Sequence, residues 1–403
     1  MSTPVIPPVQ HQVDRLLLEQ GEYLPLEFLL QEGRLNYADY EAWRNGELNT
    51  LDEVLFGDRE HVQQQLTQAA DYLQRLGWER ETVSYQVWLN DHSPRLSFSQ
   101  NNALDRCFHQ RYRKPQDQPQ LDMFTDAPAT NRVNGITRAL VNRNAAEARR
   151  QLDGLYDTAP DHVRLGELER LVEAAENLDA PVIDAATDMQ LLQETLTPLA
   201  ESLLGKGSRN LLVPLWRRLS SALRNHPWQT TQPDVHASYT AGRAMDWDIA
   251  RQAVEQAPDW RADPVLLQRH ARACDQLHRR CDALLSWFTL CWRFPQRCDA
   301  LESSSDTELH QQWIAFLELE PELPMQTFPA WLLLTKPGLT RILPPPHHDT
   351  TAYPASYQTL YRLQSNIADP TDEHIALRAR LKQQDPVLFQ HYLSNIQKQT
   401  TPQ

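Results

Sequence analysis

Cysteine, histidine and clustered carboxylates are where metal or acid–base chemistry would be sought in this chain. Cys274, His278 and Cys281 fall at i, i+4 and i+7 of one helical face, and Cys291 and Cys298 lie seven apart beyond them. Thiolates and an imidazole so placed could hold zinc or an iron–sulfur cluster. Structural zinc sites favour closer C-x-x-C pairs, however, and none occurs here. The cysteines share an apolar stripe with Leu277, Leu284 and Leu285, where a free thiol acts as a small hydrophobe. His347, His348 and Asp349 put two imidazoles and a carboxylate in a Pro-rich stretch that reads as a solvated loop. Glu318, Glu320 and Glu322 with Lys336 imitate the acids-plus-lysine set of a nuclease but lack the strands such a site needs. The expectation is a chain with no metal, no cofactor and no catalytic residue.

The most basic run is Arg106-Cys-Phe-His-Gln-Arg111-Tyr112-Arg113-Lys114. Arg106, Arg111, Arg113 and Lys114 could touch nucleic-acid phosphates while Tyr112 stacks on a base. The plainer reading is a helix C-terminus whose cations complement the helix dipole. The whole chain carries a formal charge of −14, the wrong sign for a protein that wraps nucleic acid broadly, so any such contact is local and weak. Glycine numbers only 12 in 403 residues, which disfavours glycine-rich nucleotide loops and large sheets and favours helix. No dinucleotide fingerprint, H-E-x-x-H or complete phosphate loop is present: Gly205-Lys206-Gly207-Ser208 lacks the upstream glycine. No long apolar run or leader-like start suggests a membrane or export, and five scattered cysteines suit a reducing cytoplasm. Only five lysines among 39 basic residues hint at a GC-rich bacterial genome.

The elements that would position these residues are mostly helical. Residues 1–114 read as a small α domain. Three short helices lie between Val13 and Gly57, and the second of the helix-turn-helix-like pair (Tyr37–Arg44) has a packing face more than a groove-reading one. Asp58 caps a long helix with a stripe of Val62, Leu66, Ala69, Leu73 and Leu76. Alternation at 82–88 and 95–99 suggests a short β-hairpin near 82–99, followed by helix from Asn102 to Lys114. Residues 115–131 read as a flexible linker with three prolines. From 132 to 301 helix follows helix. Ala148–Asp153 resembles Ala250–Glu255, an offset that accommodates three ~34-residue helix pairs and predicts a tetratricopeptide-like α-solenoid. Residues 302–403 would form a C-terminal helical extension.

Within the proposed linker stands Gln120-Leu121-Asp122-Met123-Phe124. This pentapeptide resembles the motif by which bacterial replication and repair proteins dock on the DNA sliding clamp, of the form Gln-Leu-Ser/Asp-Leu-Phe, with Met123 a volume-conserving swap for leucine. The resemblance covers these five residues alone. It implies that Gln120 hydrogen-bonds at the rim of the clamp cleft, Leu121 and Phe124 enter its pockets, and Asp122 faces solvent. Burying a Leu and a Phe contributes roughly 1.5–3 kcal/mol each before ordering costs, which suits a micromolar tether. The alternative is that Leu121 and Phe124 staple the segment onto the chain's own helices.

These readings combine into a non-catalytic adaptor: a clamp tether joined to a helical-repeat surface that recruits a second protein to replicating or repaired DNA. Two alternatives stand beside it, a helical scaffold of a secretion or defence assembly without clamp binding, and a DNA-processing nuclease.

Overall fold

The computed structural model describes residues 8–89, 93–114, 127–346, 353–365 and 372–400. The chain is mainly α, with a small antiparallel sheet near its N-terminus and helices that pack on their sequence neighbours in solenoid fashion. It divides into two compact units, 1–253 and 254–403.

The first unit opens with α1 (Pro8–Gln20), α2 (Pro25–Gln31) and α3 (Tyr37–Arg44). Gly21, Gly33 and Gly46 end them at positive φ, a conformation that favours glycine. α4 (Arg59–Arg75) is amphipathic as expected, burying Val62, Leu66, Ala69 and Leu73. Asp58 caps it by accepting from the His61 amide at 3.1 Å. Asp58→Ala should therefore cost about 1 kcal/mol in urea unfolding, and a change near zero would mean water serves the amide equally well.

The β structure lies in other places than the alternation suggests. Strands β1 (Glu22–Tyr23), β2 (Glu79–Thr82) and β3 (Gln110–Arg113) form an antiparallel sheet in the order β1-β3-β2. Between 83 and 99 the two alternating stretches approach through a backbone bond from Leu96 to Tyr85. Their apolar residues serve packing instead: Tyr85 and Phe98 join Trp43 and Phe108, with Phe98 and Phe108 stacked at 3.9 Å. The helix expected over 102–114 stops at Phe108 (α5, Asn102–Phe108), and the residues after it become β3.

Next comes α6 (Ala127–Val141), which begins inside the stretch read as linker; Pro128 suits a first helical turn, where no amide bond is lost. α7 (Ala145–Thr158), α8 (Leu165–Glu176) and α9 (Ala185–Leu191) follow. α9 continues through a π turn at Leu192–Leu196 into α10 (Thr197–Leu204). The π turn has a local cause: Pro198 has no amide proton to offer the Glu194 carbonyl, and the Thr197 amide reaches five residues back to Leu192. α11 (Ser208–Ala222), α12 (Ala237–Arg243) and α13 (Trp247–Gln256) complete the region, the unit boundary falling inside α13.

The second unit contains α14 (Pro264–Gln276), α15 (Arg280–Arg293), α16 (Thr307–Leu317), α17 (Phe328–Thr335), α18 (Ala355–Ser365), α19 (Asp372–Gln384) and α20 (Pro386–Thr400).

One turn recurs in the array. Arg143, Met245 and His278 adopt left-handed φ of 55°, 59° and 55° although none is glycine. At each, the next residue's amide reaches back to the final turn of the helix: Asn144 to Ala139, Asp246 to Ala241 and Arg279 to Cys274. This is the Schellman closure of a helix, and here a new helix starts at once after it. The step from Arg143 to Met245 equals the offset between the two similar hexapeptides, and His278 follows one further helix pair along.

Candidate functional site

In β3 the basic run is matched by acids on both flanking strands. Arg113 stands opposite Glu22 and Glu79, and Arg111 opposite Glu81. Arg113 Nε donates to Glu22 Oε2 at 2.8 Å, Arg111 pairs with Glu81, and Lys206 Nζ lies 3.0 Å from Glu22 Oε1. Those cations hold the Glu22 carboxyl below its usual range, against the opposing effect of burial. Tyr112 is 1% exposed, its ring tilted against Tyr23, so it is placed in the core and not at a surface where a base could stack. Arg106 is exposed and its Nε caps the Asn102 carbonyl, while Lys114 is exposed at the strand end. Gln110–Arg113 of the run are thus built into the sheet, while Arg106 belongs to α5.

Gln120, Leu121, Asp122, Met123 and Phe124 lie outside the described residues, between Lys114 and α6, as do His347, His348 and Asp349. Cys274 is buried beside His270, and Cys291 and Cys298 are buried as a neighbouring pair whose packing pushes the Cys291 thiol up. Among the described residues no three His, Cys, Asp or Glu side chains are placed to hold a metal ion. Glu318, Glu320 and Glu322 are exposed, and Lys336 pairs with Glu308 at 2.6 Å instead. No helix among the described residues is long and apolar enough to cross a membrane.

A hydroxyl–imidazole–carboxylate trio not foreseen from sequence occurs in the second unit. His270 Nδ1 lies 2.8 Å from Ser286 Oγ, and its Nε2 lies 3.2 Å from Glu255 Oε1. The order resembles a hydrolytic triad, but Ser286 and His270 are 3% and 4% exposed. The Trp260 ring covers the imidazole at 4.4 Å, and Ser286 Oγ also bonds the Asp282 carbonyl. A substrate carbonyl has no approach to that oxygen. Burial also lowers the imidazole pKa, as packing of α14 on α15 would.

A concavity that opens to solvent lies in the first unit, among α8, α9, the π turn and α11. It has a volume of about 280 Å³. Leu192, Leu196, Leu215 and Leu219 form its buried floor, and Leu191, 48% exposed, stands at its edge. The small Ala174 and Ala180 leave the space open. Arg218 donates to Asp188 Oδ2 at 2.6 Å and to the Asn177 carbonyl at 2.7 Å, fixing one wall, while Arg170 and Glu173 line another. Its floor is apolar, and its charged lining residues are Arg170, Glu173, Asp188 and Arg218.

No family model, curated protein or solved structure matches the chain.

Proposed function

We propose that this protein is a non-catalytic adaptor that docks on the bacterial DNA sliding clamp through Gln120–Phe124 and presents its helical array to a second protein. The observation that carries the reading is the pentapeptide itself: Gln, two apolar anchors and a terminal Phe in a stretch whose neighbouring prolines oppose a helix. Its flanks support the reading. β3 ends at Arg113 and α6 starts at Ala127, both within the first compact unit, so a bound clamp would be held close to the array. Leu121 and Phe124 would fill the clamp pockets and Gln120 would bond at the rim. The adaptor would act at replicating or repaired DNA in the cytoplasm, with the exposed Arg106 and Lys114 as its nucleic-acid contacts.

The test is direct binding of the purified chain to the sliding clamp of the same organism, by calorimetry. A micromolar complex is expected, weakened at least 30-fold by Leu121→Ala with Phe124→Ala while the thermal midpoint stays unchanged. Absent binding, or a double variant that melts early, would instead support a helical scaffold in which the two side chains staple the segment to the chain.

A further inference from the structure

The groove of α8, α9, the π turn and α11 is apolar inside and set in the most acidic region of the chain. Residues 145–190 hold eleven Asp and Glu against four Arg, a net −7, half of the chain's formal charge. Two of those arginines are spoken for, Arg149 by Glu176 and Arg150 by Glu147. Asp157, Asp161, Glu167, Glu173, Asp179 and Asp184 are exposed around the groove's helices. Ile183, three residues beyond the groove-lining Ala180, is 95% exposed, and Leu191 at the edge is half-exposed. Leaving such apolar groups in water beside an open apolar cleft is unfavourable unless a partner covers them.

We propose that this groove receives a basic amphipathic helix of another protein. Its apolar side chains would enter between α8 and α11 over Leu192, Leu196 and Leu215, with Leu191 and Ile183 closing over them. Lysines and arginines on its flanks would face Glu173, Asp179 and Asp184. Size and sign select this occupant. About 280 Å³ falls just below the ~300–1,000 Å³ of pockets that enclose small ligands, but it accommodates one or two side chains. The walls are helices with no free sheet edge, which suits helix-in-groove docking through residues at i, i+3 and i+4. The surrounding −7 favours a cationic partner and speeds its encounter. This inference stands apart from clamp binding and survives its failure.

The experiment is fluorescence anisotropy of labelled 18-residue amphipathic helical peptides sharing one Leu-rich face, with a polar face of Lys/Arg or of Glu/Gln, plus a scrambled Lys/Arg control. The full-length chain should bind the basic helix at least tenfold tighter than either of the others, with affinity falling as salt rises. Leu191→Asn, at a half-exposed site, should weaken binding about tenfold without moving the melting temperature, and Glu173→Arg should do so most at low salt. Leu18→Asn, at an exposed position elsewhere, should change nothing. Equal binding of the scrambled peptide, or indifference to Leu191→Asn, would overturn the proposal. So would a concentration-dependent dimer abolished by Leu191→Asn, which would make a second copy of the chain the occupant.

Discussion

Glu41→Ala should destabilise the first unit by about 3 kcal/mol and lower its melting temperature by about 6–12 °C. Glu41 lies on α3 at 7% exposure, and its carboxylate serves two guanidinium groups at once. Arg143, from the α6–α7 turn, bonds Oε1 at 2.5 Å, and Arg217 of α11 bonds Oε2 at 2.6 Å. Arg143 also lies 4.0 Å over the Trp88 ring and donates to the Asn210 carbonyl. Removing the shared carboxylate leaves both cations short of a partner, and breaking a buried pair costs about 3–5 kcal/mol. The low end applies because Arg217 keeps Asp246 at 3.0 Å and is about one-third exposed. Urea and thermal unfolding measure the change. A loss under about 1 kcal/mol would mean that water reaches both arginines and that α3 is held by its aromatic face alone.

The second large effect is a pH dependence seated at Asp275. Burial pushes its carboxyl up to about 7, against the opposing pull of hydrogen bonds from Ser304 (2.8 Å) and Trp287 Nε1 (3.1 Å). The folded unit therefore holds this proton to a higher pH than the unfolded chain does. The associated stability is complete below about pH 4 and is lost as pH rises through about 7. Three pH units correspond to about 4 kcal/mol, and water at the partly exposed carboxyl should reduce the observed loss to about 2 kcal/mol. An asparagine side chain cannot ionise, so Asp275→Asn should remove this slope. Urea unfolding from pH 4.5 to 7.5 should show the wild type falling toward the variant or below it. Parallel curves would place the slope elsewhere.

The sequence reveals most where the cause is local. The α4 stripe is legible because spacing alone sets which residues face inward, but Leu76 is 49% exposed since the helix has ended one residue before it. The Tyr37–Arg44 helix reads as a packing face, and Tyr37, Tyr40 and Trp43 are indeed buried. β3 was not legible: its four residues continue a helical pattern, and what makes them a strand is pairing with Glu22 and Glu79–Thr82, about ninety and thirty positions away. Tyr112 sits inside for the same reason, since alternation in a strand sends it to the face opposite Arg111 and Arg113. The groove is harder still. Each of its leucines belongs to an ordinary amphipathic stripe, and the opening arises only where α8, the π turn and α11 meet over two alanines. Pro198 was its single local signal.

The ion pairs of Glu41, together with Arg209 on Glu27 and Tyr37 on Asn210, bind α2 and α3 laterally to the α6–α7 turn and α11. The stretch between Lys114 and Ala127 is thus a closed span with both piers in the same body, and continuity of the chain there bears little of the load. Pulling on that span would load β3 and α6 together rather than draw two bodies apart. Lys114 and Ala127 are held at a separation that the folded unit sets.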